Sequence, residues 1–546
     1  MPSLPENGWQ TKTVLGFGGG LDYTKHPAAL ADDQWADCDG FIARQGWAEV
    51  APPFKTSLAT VGVAGDRIIG MMQNPFTNDG AVLAVCSSVG TSKLFTVSGA
   101  GTVTQITPAT TTVGARRGAL ATSAFLNGTM YVTFGYNGAA TTSLIAWTGG
   151  ATYAVVTGGL AQLQLDTVAA FKGHVVGGAA NIGGGGTLTA QLLRTVGWSD
   201  VNLGTSWIPA TNSSADSVFL DDVDDDVIML APLSSDVLGL FTHGSLHAIT
   251  ATGGIPAFVR SQIRRGIGCV ELSTSFGSVD RQSLWGITPL GVVFYAGDDL
   301  YLAESGTGIA PISSRIIEWW HDKIRPPQTL SSTALAKPIL WHREKKLLIA
   351  PRPVLTSADF QLAYYDPTSG AWSRGRVVTN GGTPLQISGQ AFIRSVNGGE
   401  YQRTHWLHGD RDVYVEDTDF ATPRFVASVD TKDFIFGGPD HTFEVDRIKV
   451  EWESIDDQGG DSAQTLRVGA SMRNSLVDNF VAGNRAGIPP VTFSLVGTIT
   501  QQQELPVRLR GKILRLSFQT PTGATVGTRI RGFSFRYRMC GTRKTP

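Results

Sequence analysis

Near the end of this chain, arginines alternate with apolar residues. Arg508, Arg510 and Lys512 interleave with Val507 and Leu509; Arg529 and Arg531 flank Ile530; Arg536 and Arg538 flank Tyr537. Residues two apart on a strand share a face, so each set predicts cations on one side and apolar groups on the other. From Leu505 to Pro546 there are ten basic residues and no acidic one. The whole chain holds 44 basic and 46 acidic residues, so its formal charge of −2 hides a body at −12. A cationic sheet face suits nucleic acid backbone or an acidic protein surface. The same arginines could equally serve solubility on an outer face, although solubility does not demand a single sign.

Other candidates for chemistry are weaker. Asp221, Asp222, Asp224, Asp225 and Asp226 form an acidic run, and hard cations favour several carboxylate oxygens. The run lacks the glycine and glutamate of a calcium loop and directly precedes the apolar stretch at Val227. It therefore reads as a solvated loop or a charged contact with a partner. His405 and His408 stand three apart in an expected strand, on opposite faces, which is wrong for joint metal ligation. Gly16 to Gly20 includes four glycines but no preceding strand of a βαβ unit, so it reads as a turn. No phosphate loop, nucleophile elbow or H-E-x-x-H motif occurs, and no pair of carboxylates stands out for glycoside hydrolysis. No metal site, cofactor or enzymatic activity is expected.

The elements that must position these residues are strands. Apolar residues come in runs of four to seven, bounded by Gly, Asn, Asp, Ser and Thr. The 65 glycines and 26 prolines fit many turns. Only 16% of residues are charged, against a typical ~25%, which argues against a coiled coil. The 42% hydrophobic share argues against disorder. One short helix is expected from Ser313 to Ile324, capped by Ser313 or Ser314 and stopped by Pro326 and Pro327. Four dispersed cysteines, Cys38, Cys86, Cys269 and Cys540, suggest reduced thiols and synthesis in a cytosol. No apolar run is long enough for a membrane span, and no secretory signal opens the chain.

A hairpin unit recurs between about residues 60 and 420. Its pairs are 81–87 with 93–98, 129–136 with 143–148, 173–179 with 192–198, 237–242 with 245–251, 291–296 with 300–304, 346–351 with 361–366, and 402–408 with 412–417. Seven units of this length suit a β-propeller; stacked β-sandwiches are the competing architecture. Tyr364 to Trp372 resembles the turn between outer strands of a blade, with the tryptophan packing between blades. Beyond residue 423, five strands of period two are expected, at 442–454, 464–472, 491–500, 505–520 and 528–539. The expected organisation is an all-β chain: residues 1–48 an arm lying on other domains, 49–422 a propeller of about seven blades, and 423–546 a β-sandwich.

Spaced patterns in fixed order resemble the tail-hub, or nozzle, proteins of short-tailed bacteriophages, including packaged-DNA stabilisation proteins. They comprise Val227-Ile228-Met229-Leu230, Val237 to Phe241, His243-Gly244-Ser245, Ile263 to Cys269, Gly291 to Tyr295 and Ile312 to Ile317. Gly19-Gly20-Leu21-Asp22, Pro27, Leu30, Gly40 and Gly46 resemble the family's opening, and the Arg-rich end resembles its C-terminal region. The chain lacks a tight blade consensus. The resemblance implies a virion tail protein assembled in the host bacterial cytoplasm, forming a ring, commonly of six copies, below the portal and adaptor. Its implied partners are itself, portal and adaptor proteins, tail fibres or a needle, and the double-stranded DNA in the channel. A propeller-type glycan-degrading enzyme and a receptor-binding fibre module are the alternatives.

Overall fold

The computed structural model describes residues 8–51, 54–77, 80–109, 113–115, 120–135, 142–160, 163–182, 193–210, 213–221, 225–269, 285–304, 308–319, 339–343, 345–351, 362–375, 386–394, 401–408, 411–416, 426–438, 441–455, 464–473, 491–495, 501–520 and 527–540. Among these the fold is all-β, a seven-bladed propeller with a β-sandwich at its side.

Every expected hairpin is present, and each forms the second and third strands of a four-stranded blade. Blade 1 is Arg67–Gln73, Gly80–Cys86, Ser92–Ser98 and Val103–Pro108. Blade 2 is Thr122–Leu126, Thr129–Thr133, Leu144–Trp147 and Thr152–Val155. Blade 3 is Thr167–Phe171, His174–Gly178, Thr195–Trp198 and Asp216–Phe219. Blade 4 is Val227–Pro232, Leu238–Thr242, Ser245–Ala251 and Phe258–Arg265. Blade 5 is Trp285–Thr288, Gly291–Tyr295, Leu300–Ala303 and Ile309–Pro311. Blade 6 is Leu340–His342, Leu347–Pro351, Leu362–Asp366 and Ala371–Gly375. Blade 7 takes Gln386–Arg394, Tyr401–His408 and Asp412–Glu416, and borrows its outer strand, Phe54–Thr60, from before blade 1. That exchange closes the circle with backbone hydrogen bonds.

Middle strands are covered on both sides, so they can be apolar throughout; all seven residues of Gly80–Cys86 are buried. Tight turns connect the strands. At Asn127-Gly128 both residues have positive φ, the requirement of a type I′ hairpin. Apolar clusters sit between neighbouring blades all round the ring.

The sandwich is assembled from both ends of the chain. One sheet contains Phe41–Arg44, Trp47–Val50, Gly527–Met539, Phe443–Ile455 and Gln501–Gly511, with Trp9–Leu15 also paired to Gly527–Met539. The other contains Gly20–Leu21, Gln34–Asp39, Ser428–Thr431, Ile513–Gln519, Gln464–Arg473 and Val491–Leu495, with Phe434–Ile435 on Ile513–Gln519. The described part of residues 1–48, expected as an arm, thus supplies strands to both sheets, and Glu49 and Val50, expected in the propeller, end one of them. The propeller is an insertion between two parts of one sandwich.

Two expectations are corrected. The single strand expected at 505–520 is two strands in different sheets, with the crossover at Lys512, whose N–H donates to the Arg473 carbonyl. Around Ser313, the described part of the expected helix is one 3-10 turn, Ser314–Ile316, continuing helically through 317–319. Ser313 does not cap it: its hydroxyl donates to Asp299 and accepts from the Leu300 N–H at 3.0 Å.

The sandwich docks on the outer edge of blade 6. Trp372, fully buried, lies at this junction and packs at a tilt against Tyr365, ring centres 4.7 Å apart. Its indole N–H donates to the Ile312 carbonyl of blade 5 at 2.7 Å. The turn before it, with Gly370 at φ +66°, joins the third and fourth strands of blade 6, the place its sequence suggests. The Gly16–Gly20 segment is a close crossing. A Cβ on Gly18 would stand 1.8 Å from the Arg44 carbonyl oxygen, and one on Gly20 2.5 Å from that of Trp372. Phe17 between these glycines is fully buried against Trp35, Phe518 and Phe533.

Candidate functional site

The arginines singled out in the sequence come together on the outer face of the first sandwich sheet, with the exception of Lys512 at the crossover. Their neighbours are carboxylates of Phe443–Ile455, which lies between the two Arg-bearing strands and also alternates. Its inward residues Phe443, Val445, Ile448, Val450 and Trp452 are fully buried. Outward, Arg538 donates to Glu444 at 2.7 Å, Arg536 is bidentate on Asp446, and Arg529 and Arg531 both grip Glu453, at 3.0 and 2.7 Å. Arg447 reaches Glu504 at 2.6 Å. The Asp446 carboxyl is held below its ordinary range by its hydrogen bonds to Arg536. Burial acts to raise the Glu453 carboxyl, but Arg531 and Arg529 outweigh it. Trp9 from the N-terminal strand adds an aromatic surface, with the Arg536 and Arg538 guanidinium carbons 5.1 and 4.8 Å from its ring centre.

Two arginines differ from the rest. Arg508 is 93% exposed, and its approach to Glu444 is 3.9 Å, at the limit of an ion pair. Arg510 is exposed and has no ion partner among the described residues. Both lie on Gln501–Gly511, the edge strand of the sheet. The cationic face is therefore mostly neutralised internally; it remains open at the edge, and on the central strand the exposed Lys449 has no ion pair among the described residues.

At the other side of the same sheet, a second ion cluster ties the sandwich to the propeller. Glu49 is buried and receives Lys345 of blade 6 at 2.5 Å and Arg529 at 3.2 Å. Burial alone would raise its pKa; the two cations bring it down to about 2. Arg44 approaches Asp366 of blade 6 at 3.9 Å.

The acidic run divides. Asp222 and Asp224 lie outside the described residues. Asp221 is exposed, 3.8 Å from Arg260. Asp225 has a local role: it accepts from the Gly244 N–H at 3.0 Å and from the Thr242 hydroxyl at 3.4 Å, fixing the turn between blade 4 strands. Among the described residues no group of three potential metal ligands converges. The side chains of His405 and His408 lie outside the described residues. Beside the same turn, the Ser245 hydroxyl is 2.8 Å from His247 Nε2, a spacing suited to nucleophile activation. Both residues are fully buried, so no substrate reaches them; the pair braces the blade.

The propeller bore holds a cavity of about 380 Å³ lined by inner strands. Met71, Phe125, Val168, Leu230, Trp285 and Ile287 contribute, and among the described residues none of those lining it is charged. No described helix is long and apolar enough to cross a membrane.

No protein-family model and no curated protein matches this sequence. Solved structures resemble it in fold type only. A quinonprotein alcohol dehydrogenase-like protein from Bacteroides thetaiotaomicron aligns at 10% identity and TM-score 0.33, over 57% of this chain and 66% of that one. YCF48 from Cyanidioschyzon merolae aligns at 9% identity and TM-score 0.35, over 65% of this chain and 98% of that one. At these levels the likenesses carry no functional argument.

Sequence reasoning missed Glu444, Asp446, Glu453, Glu49 and Trp9. The signal for the first three was present: Phe443-Glu444-Val445-Asp446 and Glu451-Trp452-Glu453 alternate as the arginine strands do. A charge window starting at Leu505 separated the cations from their partners.

Proposed function

We propose that this chain is a structural subunit of a bacteriophage virion, a tail hub or nozzle that forms a ring of six copies below the portal and adaptor and surrounds the DNA exit channel. The ordered sequence patterns and the propeller-plus-sandwich architecture support this reading. The observation that carries it is the exposed Arg508–Arg510 pair on a face whose other arginines are paired with carboxylates. A face of mostly paired ions with few open cations gives weak, sequence-independent attraction to a polyanion, which a channel needs if DNA is to slide. The described lining of each propeller bore offers no cation to phosphate, so the DNA path in this reading is the hole of the ring. Mass measurement of the purified protein and of its assembly from particles tests the proposal. A ring in particle-derived material is expected; a strict monomer or trimer in both preparations would sink it.

A further inference from the structure

Both outer edges of the first sandwich sheet are open among the described residues. On one side Trp9–Leu15 pairs only with Gly527–Met539; on the other Gln501–Gly511 pairs only with Phe443–Ile455. Unpaired edges of this length are templates for another strand. Natural edges are commonly blunted by proline, bulges or charge, and the two edges differ in this respect. Gln501–Gly511 carries Pro506, Arg508 and Arg510. Trp9–Leu15 has no proline, its pairing with Gly527–Met539 is free of register shifts, its one charge, Lys12, lies in the inward row and is paired with Asp32, and its outward row is the uncharged Trp9, Thr11, Thr13 and Leu15, with Leu15 76% exposed.

The strand directions make the two edges mutually compatible. Trp9–Leu15, Gly527–Met539, Phe443–Ile455 and Gln501–Gly511 are successively antiparallel. With four alternating strands, a second copy placed beside the first with the same orientation brings its Trp9–Leu15 antiparallel to Gln501–Gly511. The charged face stays on the same side. The existing rows also set a register, because Trp9, Arg538, Glu444 and Arg510 lie in one line across the sheet. Continuing that line places Trp9 of the next copy beside Arg510, and its Thr11 beside Arg508. Pro506, lacking an N–H, confines continuous pairing to Val507–Gly511.

Charge favours the same occupant. Arg510, which has no ion pair among the described residues, meets an indole that already lies against arginines in this chain. We propose that copies of this chain join head to tail by continuing this sheet, the Trp9–Leu15 edge of one copy seating on the Val507–Gly511 edge of the next. Such a contact is heterologous, and it closes into a ring when the rotation between copies permits. The proposal rests on the self-association in the ring reading but not on a virion location.

The test is a disulfide between register partners, in a Cys540→Ser background that removes the one partly exposed thiol among the described cysteines. Thr11→Cys and Arg508→Cys are combined in the full chain and oxidised. Within one copy these positions are three strand spacings apart, roughly 14 Å, beyond disulfide reach, so any bond between them joins two copies. Covalent multimers on a non-reducing gel are expected from the double variant and from neither single variant. In parallel, Arg508→Glu with Arg510→Glu should raise the concentration for half-assembly at least tenfold, and adding Thr11→Lys should restore part of that loss through the swapped charge. If the unmodified protein assembles but the double variant gives no more cross-linking than the single ones, the sheet-edge contact is wrong and the ring reading stands. If the unmodified protein is monomeric at every concentration and in particles, both fail.

Discussion

The propeller bore and the outer face of the sandwich are built from opposite chemistry. Among the described residues the bore is lined without a charge, and the blades around it are joined by apolar clusters. The sandwich face is a lattice of arginines and carboxylates over an apolar interior. The difference teaches where each body gains its stability and where a charged partner can act. Apolar contacts are non-directional and are not weakened by charge screening. Exposed ion pairs contribute little each and are screened by salt, but they set an electrostatic pattern that a partner can read.

The largest expected effect breaks the apolar side. Leu240, fully buried between blades 3 and 4, should cost about 2–5 kcal/mol on replacement by alanine. Denaturant titration at low and high salt should give the same loss; a strongly salt-dependent loss would contradict the division.

Next comes the junction between the two bodies. Glu49→Gln leaves Lys345 and Arg529 facing a neutral group and should cost about 2–3 kcal/mol, less than a deeply buried pair because both cations are partly exposed. The carboxyl is held at about 2, below its unfolded value of about 4.3. It therefore stabilises the fold fully above that unfolded value, and the contribution is lost as pH falls towards 2. Melting temperature followed through this window should fall more steeply for the unaltered protein than for the glutamine variant.

A smaller effect is expected within the lattice. Glu453→Gln leaves Arg529 and Arg531 without one shared acceptor, at a cost of about 1 kcal/mol, discounted for solvent access. Here the loss should shrink with added salt, and an unchanged loss in salt would blur the contrast with the bore.

The smallest stability change should accompany Arg508→Glu with Arg510→Glu, within about 0.5 kcal/mol as for other surface positions. Its measurable effect should lie elsewhere. Retention on heparin should drop, with the salt dependence of binding weaker by roughly two charges. Unchanged retention would show that the lattice, rather than its open edge, governs anion contact.

Much of this could be read from the sequence, for a physical reason. The middle strands of each blade are buried on both faces, so Val82 to Cys86 or Leu238 to Phe241 stand out as apolar runs. Inner and outer strands were harder. Thr122–Leu126 mixes buried and exposed positions, and Phe258–Arg265 is mostly solvated. The alternation of Arg508, Arg529 and Arg536 correctly placed them on one face. Their ion partners are long-range: Arg529 meets Glu49 across 480 residues. No local pattern encodes that separation. Lys512 was misplaced because strand periodicity does not reveal that a chain changes sheets between Gly511 and Ile513.

The insertion of the propeller into the sandwich also orders events during synthesis. Gln10 bonds Tyr537 across 527 residues, so the first strand leaves the ribosome long before its neighbour exists. All seven blades can close first, since their strands, including Phe54–Thr60, precede residue 417. A chain interrupted just before Gly527 would present a finished propeller beside a sandwich lacking one described strand, the one that seats Trp9–Leu15. Competence to recruit another copy would then be the last property the polypeptide acquires, and unfinished products would be excluded from assembly by their own topology.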